Sequence, residues 1–181
     1  MPLHDAEIPR GIASADSATV HVHFDGACQP PAGPGIAAFG FTIEGAGFDV
    51  EESGLATRPY SEHSTNNVAE YVGAIRALEW LHHAGYRGPI VVSGDSQLVI
   101  RQMLGEYDVR AEHLKAYHER LGQLAREFAS VQWRWVPREE NERADALSQR
   151  GIADAEPEAR RHRPVGVERP RRSEDSEETE H

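Results

Sequence analysis

The sequence predicts an α/β fold in which one mixed β-sheet is flanked by helices. Three strand-like segments come first in the chain, the first of which alternates between apolar and polar residues, and their connections are short. A continuous apolar segment and one more alternating segment follow, each preceded by residues with helical periodicity. Strands joined by tight turns pair antiparallel, whereas strand–helix–strand units cross over right-handed and give parallel pairs. The expected element order is therefore βββαβααβα.

The first three strands are expected to form an antiparallel meander. Residues 19–28 alternate and are rich in β-branched side chains, as strands are. A turn at residues 29–35, which proline stiffens and glycine makes flexible, leads to a second strand at 36–43. The tight turn 44–46 then leads to a third strand at 47–55.

A long helix is predicted after Thr65 or Asn66, either of which can cap it by accepting backbone N–H bonds. Its apolar stripe repeats at helical spacing and consists of Val68, Val72, Ile75, Leu78 and Leu81. Gly85 and Gly88 end this helix. Residues 89–93 form a continuous apolar segment, which is typical of a strand buried on both faces in a parallel region. The remaining predicted elements are helices at 96–104 and 111–128, a strand at 131–136 and a last helix at 141–149.

The two ends of the chain differ in composition from the domain between them. Residues 1–18 mix Pro, Asp, Ser and Ala without periodicity, so we expect a flexible N-terminal arm. From about Ala153 the chain is rich in charge and has almost no large apolar residues, so burial cannot offset the entropy lost on ordering. These patterns predict one domain at residues 19–152 and a disordered charged tail at 153–181.

The composition limits the class of protein. The chain has no apolar segment of membrane-spanning length and no N-terminal signal pattern, which favours the cytoplasm and excludes a membrane partner. The single cysteine, Cys28, rules out an internal disulfide framework and an all-cysteine zinc site. No pattern indicates an obligate protein partner, and we expect a monomer.

The chain is strongly acidic, with a formal net charge of −11 and Lys115 as its one lysine. Bulk charge of this sign argues against nucleic-acid binding, which normally uses a basic surface. It is also typical of proteins adapted to very salty cytoplasm, where the Debye length falls to about 3 Å at 1 M salt. The sequence therefore has a halophile-like surface composition.

Four acidic residues occupy comparable places at the ends of predicted strands or the beginnings of predicted helices. Asp25 ends the first strand, and Asp95 follows the buried strand and opens a helix. Glu70 lies one turn into the long helix, and Asp145 lies early in the last helix. Ligands of open α/β sheets bind beyond the carboxyl ends of the strands, so these four side chains can converge there.

Clustered carboxylates stay ionised only if a cation offsets their repulsion. Oxygen ligands suit Mg²⁺ or Mn²⁺ rather than Zn²⁺, and two such ions about 4 Å apart can hold the attacking and leaving oxygens of a phosphodiester. Each acid also has a simpler interpretation. Asp25 can open a turn, Glu70 can complement the helix dipole, Asp95 can be an N-cap and Asp145 can be a solvated surface acid.

Together these residues make the sequence resemble type 1 ribonuclease H over about residues 19–150. The matching motifs occur in the family's order: Phe24-Asp-Gly-Ala-Cys28 with Gly33-Pro-Gly35, Thr65-Asn-Asn-Val-Ala-Glu70, Asp95-Ser-Gln-Leu-Val99 and Asn141-Glu-Arg-Ala-Asp145-Ala-Leu147. The resemblance implies a ribonuclease H-like fold with a five-stranded sheet in the order 3-2-1-4-5. It also implies endonucleolytic cleavage of RNA in RNA–DNA hybrids with two Mg²⁺ ions, or Mn²⁺, leaving 3′-hydroxyl and 5′-phosphate ends.

The resemblance also implies roles for individual residues. Asp25 would bridge both ions, Asp145 would join it on the ion that holds the attacking water, and Glu70 and Asp95 would complete the ion facing the leaving group. The residues implied to contact the hybrid in its minor groove are Asn66, Asn67 and Gln97. Amides can both donate and accept, as recognition of a 2′-hydroxyl requires, although asparagines at this position can also simply cap a helix.

The sequence departs from the family's pattern in two places. Better-known bacterial members insert a basic handle after the second helix, whereas here residues 105–109 lead directly into the next helix, as in short, archaeal-like forms. Many members carry a histidine on the loop before the last helix, and this chain has Arg138 there. Arginine cannot shuttle a proton, so a catalytic role for Arg138 would be electrostatic. The alternative is a surface ion pair with Glu139, Glu140 or Glu142.

Rival interpretations keep the acids but change the function. Another nuclease of this fold class, such as an exonuclease or a resolvase, would not need Asn66, Asn67 and Gln97. A non-catalytic module that binds RNA–DNA hybrids would not need all four acids. A third alternative is a structural protein whose core is stabilised by a metal.

Overall fold

The structure, a computed structural model, describes residues 18–164. Its elements are β1 Val20–Gln29, β2 Ile36–Gly45, β3 Phe48–Leu55, α1 Asn66–His83, β4 Pro89–Gly94, α2 Gln97–Met103, α3 Glu112–Ala125, β5 Ser130–Trp135, a 3-10 turn Arg138–Glu140 and α4 Glu142–Arg161. The predicted element order is confirmed. Within the described residues, no helix combines the length and the apolar character that crossing a membrane requires.

The five strands form one mixed sheet in the order β3-β2-β1-β4-β5. β1 pairs antiparallel with β2, and β2 pairs antiparallel with β3, which gives the predicted meander. β1 pairs parallel with β4, and β4 pairs parallel with β5. The order 3-2-1-4-5 implied by the resemblance is therefore confirmed, and β1 lies at the centre of the sheet.

Alternate residues of the central strands bury their side chains on opposite faces of the sheet. On one face, Val20, Val22 and Phe24 of β1 belong to the large apolar core, together with residues of α1 and α3. On the other face, a smaller cluster joins β1 and β2 to Ile152 and Ala159 of α4. The sheet is thus covered by α1 and α3 on one side and by α4 on the other.

Two glycines let helices approach the sheet on either side of Asp25. A Cβ atom on Gly26 would lie 2.1 Å from the backbone nitrogen of Glu70, so only glycine lets α1 come this close to β1. Gly40 pairs with Asp25 across the β1–β2 ladder, and a Cβ there would lie 2.5 Å from the backbone nitrogen of Ser148. The closest approaches of α1 to β1 and of α4 to β2 therefore lie next to Asp25.

The last helix is longer than the sequence analysis predicted. The expectation of a helix at 141–149 and of disorder from Ala153 is wrong for residues 153–161, which continue α4 to Arg161. Ile152 and Ala159 are buried on the sheet, and Ala155 packs beside them. Ala155 and Ala159 thus continue an apolar stripe at helical spacing, and its burial against β1 and β2 holds this part of α4.

The remaining predictions about the chain ends concern residues that are not described. The flexible arm was predicted for residues 1–18, of which only Ala18 lies in the described range, where its carbonyl accepts a hydrogen bond from the Tyr86 hydroxyl at 3.1 Å. Residues 165–181 of the predicted tail likewise lie outside the described residues. The domain boundary supported by packing is therefore Ala159 or beyond, not Ile152.

Candidate active site

Asp25 and Asp95 lie side by side where the parallel pairing of β1 with β4 ends. The prediction that Asp25 ends the first strand is wrong, because β1 continues to Gln29 along β2. Phe24 of β1 pairs with Gly94, the last residue of β4, and the two aspartates follow directly. Asp95 immediately precedes Ser96, whose side chain caps α2 by accepting a hydrogen bond from the backbone N–H of Val99. The simpler interpretation of Asp95 as the N-cap is therefore wrong, and its carboxylate is not used for capping.

Glu70 completes a group of three carboxylates with Asp25 and Asp95, here called the carboxylate triad. One oxygen of each lies within 4.8 Å of the others. Asp25 is only 5% exposed, whereas Glu70 and Asp95 are half-buried. Thr65 caps α1 by accepting a hydrogen bond from the backbone N–H of Val68, which fixes the start of the helix that carries Glu70.

Asp145 faces the same place from the other side of the sheet but is not part of the triad. It lies in the first turn of α4 and lines, with the triad, an open cavity of about 400 Å³. Its negative charge is one of the influences that raise the pKa of Asp25. The structure thus brings together all four acids predicted from the sequence, three with an oxygen within 4.8 Å of the others and the fourth lining the same cavity.

The electrostatics of the triad disfavour its ionised form. Burial raises the pKa of Asp25 to about 7, and the charges of Asp95 and Asp145 add to this rise, while a hydrogen bond from Ser148 opposes it. Burial, followed by the charges of Asp25 and Asp95, raises the pKa of Glu70 well above its ordinary value. The backbone N–H of Gly26 hydrogen-bonds to the Glu70 carboxylate and only partly offsets this.

One oxygen of Glu70 has no partner. Within residues 18–164, Oε2 of Glu70 is buried and makes no hydrogen bond. A buried acceptor left unpaired costs about 1–3 kcal/mol, and more when it is charged. A cation would remove both this cost and the repulsion among the three acids. The donor set is entirely oxygen, so the triad fits a hard divalent cation.

Ser148 belongs to the site and was missed by the sequence analysis. Its side chain is fully buried, and its Oγ lies 2.5 Å from Oδ2 of Asp25 and 2.9 Å from the backbone carbonyl oxygen of Asp145. One feature of the sequence indicates that Ser148 lies near the site: it follows Asp145 by three residues and so lies on the same face of the helix. That spacing does not reveal that the hydroxyl reaches a different strand.

Comparison with known proteins agrees with this geometry. Residues 23–151 match the family described as Reverse transcriptase-like. The ribonuclease H of Aromatoleum aromaticum is 34% identical over 149 residues, which cover 74% of this chain and 90% of that protein. The chain belongs to the ribonuclease H family. This confirms the resemblance inferred from the four motifs.

Other members of the ribonuclease H family are also similar. Ribonuclease HI of Halobacterium salinarum is 39% identical over 137 residues, or 75% of this chain. The chain spans 65% of the length of that protein. A crystal structure of LC11-RNase H1 in complex with an RNA/DNA hybrid aligns with a TM-score of 0.65 and 31% identity, covering 76% of this chain and 99% of that one.

Asn66, in the ribonuclease H motif at the start of α1, lines the cavity, and its side-chain carbonyl already accepts a hydrogen bond. Its Oδ1 accepts a hydrogen bond from the backbone N–H of Cys28 at 2.7 Å. Because the partner is a donor, the carbonyl half of the amide must face β1. The side-chain NH₂ is then the group available to a ligand, so Asn66 can serve as a donor but not freely as both donor and acceptor.

Asn67 and Gln97 lie at the beginnings of α1 and α2, where both are exposed. Neither is among the residues that line the cavity. The structure therefore places both amides on the surface, Asn67 three residues before Glu70 and Gln97 two residues after Asp95.

Arg138 contacts Asp145. Its Nη2 lies 3.4 Å from Oδ2 and 3.5 Å from Oδ1 of Asp145, and its side chain is 73% exposed. The expected alternative, an ion pair with Glu139, Glu140 or Glu142, is not the arrangement found. Arg138 also lines the cavity, so its positive charge faces the acids.

Proposed function

We propose that the chain is a ribonuclease H that hydrolyses the RNA strand of RNA–DNA hybrids with divalent cations held by its four acids. The observation that carries this proposal is the carboxylate triad with the unpartnered oxygen of Glu70 at the carboxyl edge of the sheet. Family membership and the hybrid bound to the LC11 relative support the same substrate. The products would carry 3′-hydroxyl and 5′-phosphate ends.

The four acids suit two Mg²⁺ ions, or Mn²⁺ in their place. Asp25 has an oxygen within 4.8 Å of oxygens of Glu70 and Asp95, and the charge of Asp145 also acts on it. It would serve both ions, with Asp145 on the side of the attacking water and Glu70 and Asp95 on the side of the leaving group. Bound ions would supply an activated water and neutralise the charge that develops on the phosphate.

The function is tested by incubating the protein with labelled RNA–DNA hybrid, duplex DNA and duplex RNA, each with Mg²⁺, Mn²⁺ or a chelator. Internal cleavage of the RNA strand of the hybrid, abolished by the chelator, is the expected result. Cleavage only from strand ends or of duplex DNA would favour another nuclease of this fold class. Tight hybrid binding without cleavage would favour a non-catalytic module.

Asn67→Ala and Gln97→Ala are each expected to weaken hybrid binding roughly fivefold, the equivalent of one hydrogen bond. Both amides are exposed beside the acids, where they can contact the groove of the hybrid and its 2′-hydroxyls. Fluorescence anisotropy with hybrid and duplex DNA, in Ca²⁺ or chelator, measures the affinity and the discrimination.

Gln123→Ala, an exposed amide on α3, is the control and should bind as the wild type does. Asn66→Ala is a less clean variant, because it also removes the acceptor of the Cys28 N–H. Unchanged hybrid affinity in both the Asn67 and Gln97 variants would refute their assignment to substrate binding.

Arg138→Ala is expected to lower kcat on the order of tenfold, the lower end of what a charge-assisted hydrogen bond provides. We propose that Arg138 leaves Asp145 and holds a phosphate oxygen through its planar fork of donors when substrate binds. Arg138→Lys, which keeps the charge without the fork, should recover only part of the rate. Steady-state kinetics over a range of pH measure both effects.

The pH–rate profile should keep its shape in both Arg138 variants, because arginine does not titrate in this range. Arg150→Ala removes an equally exposed arginine on α4, paired with Asp154, and serves as the control. An Arg138→Ala variant with the wild-type kcat would show that the arginine is a surface ion pair only.

We also propose that the acidic surface is adapted to high salt, a proposal supported by the net charge of −11 and by the Halobacterium relative. The melting temperature is expected to rise by several degrees on adding KCl, because screening relieves self-repulsion. Most of the rise should come below 1 M, because at 1 M the Debye length has already fallen to about 3 Å. A melting temperature that is flat or falls over this range contradicts the proposal.

A further inference from the structure

The Ser148 hydroxyl lies between the carboxylate of Asp25 and the backbone carbonyl of Asp145, which belong to different elements. Its Oγ is 2.5 Å from Oδ2 of Asp25 on β1 and 2.9 Å from the carbonyl oxygen of Asp145 in its own helix. A hydroxyl has one proton and can donate to only one of these acceptors at a time. The contact with Asp25 is the shorter of the two, so the proton goes to the Asp25 carboxylate.

This geometry differs from that of an ordinary helical serine, which donates to a carbonyl three or four residues earlier and contributes little. Gly40, the cross-strand partner of Asp25, lets the backbone of α4 approach so closely that a Cβ there would lie 2.5 Å from the Ser148 nitrogen. The packing of α4 against β2 therefore aims the Ser148 hydroxyl at Asp25. A serine side chain that is 0% exposed has no alternative partner in water.

We propose that Ser148 is a positioning residue that fixes the orientation of the Asp25 carboxylate and thereby sets the affinity of the site for divalent cations. The hydrogen bond to Oδ2 favours one orientation of the carboxylate about its Cβ–Cγ bond. A carboxylate oxygen has a second lone pair, so this bond does not remove Oδ2 from ligation. The inference rests on the proposed function for its metal site, but it concerns binding rather than cleavage.

The test measures Mn²⁺ binding to the full chain without substrate. The electron paramagnetic resonance signal of the unbound ion gives the concentration of free Mn²⁺. Ser148→Ala is expected to bind Mn²⁺ on the order of tenfold more weakly, the loss expected for one hydrogen bond to a charged group. Ser148→Thr, which keeps the hydroxyl, should restore most of the affinity. With hybrid and Mg²⁺, Ser148→Ala should need a correspondingly higher Mg²⁺ concentration for half-maximal kcat, while the KM for the hybrid stays unchanged.

Ser93→Ala is the matched control, since Ser93 is a buried serine on β4 outside the cavity lining. If Ser148→Ala does not fold, Ser148→Cys keeps nearly the same volume with a much weaker donor, and the same loss is expected. Wild-type Mn²⁺ affinity in a folded Ala or Cys variant overturns the inference, as does equal weakening in Thr and Ala. A chain that binds Mn²⁺ in this Ser148-dependent way but leaves hybrids uncut would overturn only the proposed function.

Discussion

Replacing Asp25 with asparagine is expected to abolish cleavage and, in the absence of metal, to stabilise the fold. The loss in kcat should be at least roughly 10²–10⁴-fold, because the transition-state stabilisation that metal ions supply amounts to several kcal/mol. Asp25 is 5% exposed and its pKa is raised to about 7 by burial and by the charges of Asp95 and Asp145. Asparagine keeps the shape of the side chain and carries no charge that must be buried.

Two measurements check this expectation: single-turnover cleavage of labelled hybrid in Mg²⁺, and the melting temperature in chelator at pH 8. Asp49→Asn is the control, since Asp49 lies on β3 with a side chain that is 85% exposed. It should change neither the rate nor the metal-free stability. An Asp25→Asn variant that turns over at nearly the wild-type rate would rule out the metal assignment, whatever its melting temperature.

The sequence predicts the carboxylate triad because each of its members is placed by a local rule. Asp25 lies in an alternating strand and Asp95 follows an apolar one, and the two residues come directly after the last parallel pair, Phe24 with Gly94. Glu70 follows a recognisable cap by one helical turn. These three positions depend on element type, which the residue pattern predicts, and on strand order, which the resemblance to ribonuclease H implies.

Contacts that depend on packing between elements could not be predicted in this way. Ser148 reaches Asp25 across 123 positions of sequence, and only the close approach at Gly40 makes this possible. Asn66 has one half of its amide committed to Cys28, which no pattern in either segment indicates. The end of α4 was missed because alanines were not counted as core residues until the sheet surface that they cover was known.

The second large effect expected is a loss of stability with rising pH in the metal-free protein. Both Asp25 and Glu70 have raised pKa values in the folded state, so between about pH 4 and pH 7 the folded chain binds more protons than the unfolded chain. The free energy of unfolding should therefore fall through this window, by roughly 2–4 kcal/mol for Asp25 alone. Below pH 4 the stabilisation by protonated Asp25 is fully present, and above pH 7 it is lost.

Divalent cations should reverse this trend, because they bind the ionised carboxylates and displace protons from them. Urea unfolding between pH 4.5 and 8.5, at constant ionic strength, with either chelator or Mg²⁺, measures both curves. The difference between the two curves should grow as the pH rises. Constant ionic strength matters because a chain with net charge −11 also responds to screening.

His23 makes a contribution of the opposite sign, since burial lowers its pKa and the folded chain then binds fewer protons than the unfolded one near pH 6.5. Comparing the wild type with Asp25→Asn cancels this contribution, because His23 is present in both. In chelator, the stability of the variant should fall less steeply with pH than that of the wild type. Parallel curves for the two proteins would mean that Asp25 titrates at its ordinary pKa and does not contribute to the loss of stability.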